Sequence, residues 1–303
     1  MRKIVVTGSD EVSRAFSKSL SSLLGAELCE PTYKTFPDGE KYLRLDCNIS
    51  GAEVIYVKTM IPAQDSSIVE AVLAADAIKA SGAERLVMIA PYMAYARQDR
   101  QFLAGEPVSI RAVLKALWTS GFSALATVEV HKAESLRHFP GPSLNVRPYS
   151  FMADQIGLKG SDIVVISPDL GALERAKTLA EHLGVSYDYL EKSRDRLTGN
   201  ITIKPKEVSV EGKHVVIVDD IISTGSTIAS AVAMLSSQGA RGFTILVAHA
   251  ILAPGAEERL RSVGITKIYA ANTTPSTSNI VTNIDVAPLV ASELRSSGII
   301  SQP

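Results

Sequence analysis

The chain has 303 residues, of which 46% are apolar and 21% charged, enough for a sizeable core in about two domains without staples. Lysine and arginine total 31, against 32 aspartates and glutamates, for a net charge of −1; this argues against sequence-independent nucleic-acid binding, which favours a basic excess. No apolar run approaches the ~20 residues that span a membrane, the start Met1 to Gly8 reads as a short strand rather than a signal peptide, and Cys29 and Cys47 show no metal-ligand spacing. The expectation is a cytoplasmic protein in a reducing compartment, with no disulfide framework.

Short β-branched runs alternate with helical periodicities along the chain. The predicted strands are Ile4-Thr7, Val54-Val57, Leu86-Ala90, Leu125-Val130, Ile163-Ser167, Val215-Val218, Phe243-Ala248 and Lys267-Ala270. They do not alternate cleanly, as expected of strands buried on both faces. The predicted helices are Val12-Leu24, Asp65-Ser81, Ile110-Ser120, Gly171-Leu183, Ser226-Gln238, Ala256-Ser262 and Asp285-Ser296, several ending at glycine, as at Gly25 and Gly184. The repeated strand-helix order implies an α/β fold, each sheet mostly parallel with helices on both faces.

The chain also repeats itself. Ile4-Val5-Val6, Asp10, Leu20, Leu24 and Gly25 recur as Ile163-Val164-Val165, Asp169, Leu179, Leu183 and Gly184. Val54 to Val57 answers to Val215 to Val218, and Ser81-Gly82-Ala83 to Gln238-Gly239-Ala240. An offset held near ~160 residues across three elements points to a duplicated domain. The turn-rich Phe139 to Ser143 is the expected linker. The predicted domains are 1–142, joined by the C-terminal stretch 285–303, and 143–284.

The strongest local signal follows the predicted strand Val215-Val218. Asp219-Asp220-Ile221-Ile222-Ser223-Thr224-Gly225-Ser226-Thr227 leads straight into an alanine-rich helix. Free N–H groups at a helix start suit a phosphate, the hydroxyls add donors, and Gly225 allows close backbone approach. Two acids beside a phosphate cradle need a further ligand, and sugar hydroxyls or a magnesium shell fit.

This run resembles the fingerprint of type I phosphoribosyltransferase folds. The first copy has Val57-Lys58-Thr59-Met60 at the equivalent place, without a phosphate loop. A doubled fold with one intact loop resembles the ribose-phosphate diphosphokinase (phosphoribosyl pyrophosphate synthetase) family, in its archaeal-type form. Phe36-Pro37-Asp38-Gly39-Glu40 is similar to that family's adenine-binding hairpin, and Tyr95-Ala96-Arg97-Gln98-Asp99-Arg100 to its nucleotide-phosphate motif. Ser167-Pro168-Asp169 resembles its pyrophosphate loop, and Lys192-Ser193-Arg194 its mobile catalytic loop.

The resemblance implies transfer of the β,γ-pyrophosphoryl group of ATP to the anomeric hydroxyl of ribose 5-phosphate, with Mg²⁺ as cofactor. It gives Phe36, Asp38, Glu40, Arg97, Gln98, Asp99 and His131 to ATP. Asp219, Asp220, Ser223, Thr224, Gly225, Ser226, Thr227 and Arg194 go to ribose 5-phosphate, Lys192 and Arg194 to catalysis, and His131 and Asp169 to the metal. It also implies a homo-oligomer, a dimer or larger, with the adenine hairpin near a subunit boundary, and no nucleic-acid or membrane partner. His138, His182, His214 and His249 read as structural.

Three departures stand out. Glu129 replaces the aspartate of the family's Asp-x-His motif, and Leu170-Gly171-Ala172 replaces a double-glycine pattern. Lys132 to Phe139 does not match the segment of the allosteric bacterial and mammalian forms, so phosphate activation and ADP allostery do not carry over. A phosphoribosyltransferase, or a non-catalytic relative of the synthetase, are the alternative readings.

Overall fold

A computed structural model describes residues 1–194, 201–203, 208–276 and 278–302, with backbone alone for 192–194 and 201–203. Two compact units emerge. The first comprises 1–147, 272–275 and 285–303; the second comprises 148–271 and 276–284.

The first unit runs β1 (Lys3–Thr7), α1 (Glu11–Leu24), β2 (Glu27–Cys29), β3 (Thr32–Thr35), β4 (Lys41–Arg44), β5 (Glu53–Val57), α2 (Gln64–Ala80), β6 (Arg85–Ala90), α3 (Ser109–Thr119), β7 (Ala124–Val128) and β8 (Ser143–Val146). The second runs α4 (Tyr149–Gln155), β9 (Ile163–Ser167), α5 (Leu173–Leu183), β10 (Ser186–Tyr189), β11 (Lys192–Arg194), β12 (Ile201–Ile203), β13 (His214–Ile222), α6 (Ser226–Ser237), β14 (Gly242–Ala250), α7 (Ala256–Ser262), β15 (Ile268–Ala271) and β16 (Val281–Ile284). The last helix, α8 (Ala287–Ser296), returns to the first unit.

The duplication is explicit in the sheets. One has the order β2-β1-β5-β6-β7-β8 and the other β10-β9-β13-β14-β15-β16, and every pairing within each is parallel. Each order maps onto the other strand for strand. The antiparallel hairpins β3-β4 and β11-β12 also occupy equivalent places, between the edge strand and the next core strand. β5, β7 and β9 are buried at every residue, which is why their sequences lack alternation. α1 and α5 both end on a left-handed glycine, Gly25 at φ 64° and Gly184 at φ 69°.

Each sheet packs its own core. Ile4, Val54, Tyr56, Leu86, Met88 and Leu125 meet Ala74, Ile78 and Leu114 in the first unit. Val164, Ile166, Val215, Ile217, Ile245 and Ile268 meet Ile228, Val232 and Leu235 in the second. The C-terminal residues are latched to the first unit through a buried carboxylate. Glu53 is fully buried, pairs with Arg85 at 3.1 Å and accepts from Ser301 N at 3.0 Å, while Arg85 also donates to Ile299 O at 2.8 Å. A buried carboxylate is tolerated only when it is paired and hydrogen-bonded in this way.

Three expectations are corrected. The chain changes unit after Arg147, not at 142, because Ser143–Val146 forms the edge strand β8. The strand after Leu125 stops at Val128, where Glu129 takes a left-handed φ of 42°. Cys29 and Cys47 form a disulfide, against the expected absence of one. Their 18-residue separation gave no sign of it, but the β3-β4 hairpin folds back and brings their Cα atoms to 6.0 Å, within disulfide range.

Candidate active site

β13 does not end before its acidic pair. It runs on through Asp219 and Asp220 to Ile222, pairing Asp219 with Val247 and Ile221 with His249 of β14. The chain then turns at Ser223 and Thr224, and Gly225 caps α6 at φ 72°. A Cβ there would meet Leu260 at 3.1 Å, so glycine is required by both conformation and space. No side chain caps α6, and its first turn carries no acid. The first intrahelical bond runs from Ala229 N to Gly225 O at 2.9 Å, so the preceding N–H groups have no acceptor within the helix. Thr224 Oγ1 and Ser226 Oγ lie 3.0 Å apart across the turn. Uncapped helix N–H groups ringed by hydroxyls suit a phosphate dianion.

The acids behind the turn are crowded. Asp219 lends Oδ1 to Asp220 N at 2.9 Å, and its own carbonyl accepts from Tyr149 OH. Its carboxyl is pushed well above the ordinary aspartate range, first by enclosure in protein, then by Asp220 and more weakly by Asp169. Asp220 is buried and faces the buried Arg175 of α5, Nη2 to Oδ2 3.7 Å. Asp169 follows β9 and caps a short 3-10 turn, accepting from Ala172 N at 3.2 Å. Carboxylates pressing on one another in this way are hard oxygen donors that a divalent cation would relieve. Among the described residues no group of three or more acidic, histidine or cysteine side chains is arranged to hold a metal; Mg²⁺ commonly keeps several waters, so a sparse set is compatible with it.

The equivalent place in the first unit is closed. Lys58 follows β5 where Asp219 lies in β13, and its ammonium is buried 2.8 Å from Asp10 and 3.3 Å from Glu70. Ser13 Oγ accepts from Thr59 N at 2.8 Å, and α2 carries Asp65 in its own first turn. A lysine fills the space, and an acid already sits at the helix start. The lost phosphate loop read from the sequence has this physical form.

The nucleotide candidates of the first unit lie on two segments. In the turn of the β3-β4 hairpin, Phe36 N donates to Glu40 O at 2.8 Å and Glu40 N to Asp38 Oδ1 at 3.1 Å. Phe36 is 45% exposed, edge-on to Tyr42 at 6.1 Å, which leaves a ring face open to stacking. At its foot the hairpin is held by the disulfide and by Tyr33 OH donating to Thr7 O at 2.6 Å. The second segment follows β6. Arg97 is exposed and borders a cleft of about 430 Å³ shared with Gln64, Asp65, Tyr92, Tyr95 and Gln98. Gln98 accepts from Ser109 Oγ through its side chain. Asp99 pairs with Lys132 at 3.1 Å, which ties the Arg97 segment to the residue after His131. The Lys192 and Arg194 backbones lie in β11, opposite Ile203 and Ile201; their side chains, and residues 195–200, lie outside the described residues.

Sequence reasoning missed Arg175, Lys58, Lys132 and Arg259, the last of which donates from α7 to Thr224 O of the turn. Arg175 left a trace, since it falls in the buried stripe of α5 with Ala176 and Leu179. Lys58 was noted only as part of Val57-Lys58-Thr59-Met60, where the phosphate loop is missing. The two others carry no sequence signal, because their partners are set by folding.

Residues 4–121 match the model of the N-terminal domain of ribose phosphate pyrophosphokinase, and residues 149–286 match the phosphoribosyl transferase domain. The chain is 42% identical over 295 residues to the ribose-phosphate pyrophosphokinase of Aeropyrum pernix, with 96% of each chain covered. It belongs to the ribose-phosphate pyrophosphokinase family. The Saccharolobus solfataricus member is 40% identical, covering 96% of this chain and all of that one. Among solved structures, the phosphoribosylpyrophosphate synthetase of Mycobacterium smegmatis aligns at a TM-score of 0.87 and 28% identity over 98% of both chains. A pyrophosphokinase-family chain is thus matched over nearly its whole length, and both phosphoribosyltransferase-like units lie inside the match.

Proposed function

We propose that this chain transfers the β,γ-pyrophosphoryl group of ATP to the anomeric hydroxyl of ribose 5-phosphate, giving phosphoribosyl pyrophosphate and AMP. One observation carries the reading: of two equivalent strand-to-helix turns, the second is an uncapped cradle behind two aspartates and the first is plugged by Lys58. A single sugar phosphate therefore has a place, and the first unit is left for the nucleotide.

In this reading the turn Ser223 to Thr227 holds the 5-phosphate through backbone N–H groups and hydroxyls. Asp219 and Asp220 accept hydrogen bonds from ribose hydroxyls. Phe36 stacks on adenine while Asp38 and Glu40 meet its edge or ribose, and Arg97, Gln98, Asp99 and His131 orient the triphosphate. Arginine is the side chain whose planar fork grips phosphate with two donors. Asp99 acts through Lys132, whose ammonium it holds. His131 and Asp169 are the protein contacts for Mg²⁺, which when bound offsets the charge of the polyphosphate. Lys192 and Arg194 bring cationic donors to the group in transit.

No nucleophilic side chain is needed. The attacking anomeric oxygen and the leaving AMP oxygen must lie in line through the β-phosphorus, and such steps rest on positioning and charge stabilisation. Fixed cations count most once water is excluded. A homo-oligomer, a dimer or larger with the adenine hairpin near a subunit boundary, and a cytoplasmic location complete the proposal.

The test is AMP release from ATP, Mg²⁺ and ribose 5-phosphate. AMP dependent on the sugar phosphate supports the reading, and AMP no higher than the ATP-only control rejects it. Pyrophosphate released from phosphoribosyl pyrophosphate and a nucleobase would favour a phosphoribosyltransferase instead.

A further inference from the structure

The phosphate turn has two consecutive carbonyls held from one side. Ser223 O accepts from Ala253 N at 2.9 Å, and Thr224 O accepts from the guanidinium of Arg259 on α7. That same helix packs against the turn, since a Cβ on Gly225 would meet Leu260 at 3.1 Å and Ala256 O at 3.3 Å. In a planar trans peptide the N–H points opposite to the C=O. Drawing these two carbonyls towards Ala253 and α7 therefore turns the Thr224 and Gly225 N–H groups away from that segment, to join the free N–H groups that open α6.

Charge points the same way. The turn contains no lysine or arginine and lies just after two aspartates, a poor setting for a phosphate dianion without a fixed cation nearby. Arg259 is exposed and anchored to the turn's own backbone. Its neighbour Arg261 is engaged differently, pairing with Glu257 at 2.8 Å. We infer that Arg259 is a positioning residue for the sugar phosphate: it sets the Thr224-Gly225 peptide so that its N–H faces the anion, and it brings a positive charge to a turn that carries no lysine or arginine of its own. The inference rests on the reading of this turn as the ribose 5-phosphate site.

Calorimetric titration of ribose 5-phosphate into the full chain and into Arg259→Ala tests it, alongside steady-state kinetics. Loss of a charged hydrogen-bond donor predicts about 10- to 100-fold weaker ribose 5-phosphate binding in Arg259→Ala. The KM for ATP and the kcat at saturating sugar phosphate should stay within about twofold of the parent, the pattern of lost ground-state binding. Arg259→Lys keeps a donor and a charge and should recover a large part of the affinity; it also serves as the test protein if the alanine variant fails to fold. A merely structural brace for α7 would lower the melting temperature and raise both KM values together. Parent-like affinity in Arg259→Ala, an equal rise in the KM for ATP, or no recovery in Arg259→Lys relative to Arg259→Ala would overturn the inference. A parent that binds ribose 5-phosphate without making AMP would overturn the proposed reaction alone, and the titration would still decide the role of Arg259. A parent that does not bind it would overturn both.

Discussion

Lys58 Nζ lies 2.8 Å from Asp10 Oδ2, in the first unit's counterpart of the place where the second unit carries Asp219 beside Asp169. Asp10 caps α1 and Asp169 caps a short 3-10 turn, each just after the first core strand of its repeat. One copy answers its acid with a tethered ammonium, the other with more carboxylates. In the second unit the cation among those carboxylates is Arg175, 3.7 Å from Asp220, and Asp219 stays raised in spite of it.

Removing the tethered cation should therefore damage the fold rather than open a second site. Lys58→Met leaves Glu70 buried and Asp10 mostly buried without their partner, a loss of about 3–5 kcal/mol for a broken buried pair. Urea unfolding reads the loss. Unchanged stability, or a second equivalent of bound sugar phosphate, would contradict the account.

The acid cluster predicts a pH signature. Enclosure and its neighbours raise the folded Asp219 carboxyl above its ordinary value. The folded state then keeps a proton that the unfolded chain has released, so this group's contribution to stability falls as pH rises from the unfolded value through the raised one. Asp219→Asn should raise the melting temperature of metal-free protein at pH 8 and change it little at pH 4. Magnesium alone should stabilise the parent at pH 8 more than it does the variant. Parallel melting curves for the two proteins across that range would remove the cluster from the account.

The disulfide should matter most to the nucleotide hairpin. It closes an 18-residue loop around β3 and β4, worth about 3 kcal/mol in the chain-entropy model. Reduction, or Cys47→Ser, is expected to lower the melting temperature and raise the KM for ATP, leaving the KM for ribose 5-phosphate unchanged. A rise in the sugar-phosphate KM of equal size would show that the hairpin is not a separate nucleotide element.

Lys192→Ala is expected to lower kcat by roughly 10²–10⁵, the range for lost transition-state donors and cations, with a small effect on KM. Near-normal turnover in this variant would take Lys192 out of the mechanism.

The sequence carried much of this, and what it lacked has physical causes. Buried parallel strands announce themselves as apolar runs, so β5, β6 and β9 were legible, and the constant repeat offset showed the duplication before any sheet order was known. Short edge strands such as β2, β8 and β16 carry little hydrophobic signal, which is why the unit boundary was placed before β8 instead of after Arg147. β13 was cut short because aspartate disfavours strands; sheet pairing with β14 carries it through Asp219 and Asp220 regardless. The motif residues of the phosphate turn were legible because they are contiguous. Arg175, Arg259 and the Cys29–Cys47 bond were not, because each depends on elements that meet only in the folded chain.

The most direct measurement is a crystal structure of the chain with ribose 5-phosphate. One sugar phosphate per chain is expected, its phosphate at the mouth of the Ser223-Thr227 turn and its hydroxyls towards Asp219 and Asp220. Density for the phosphate beside Lys58, or anywhere other than that turn, would contradict it.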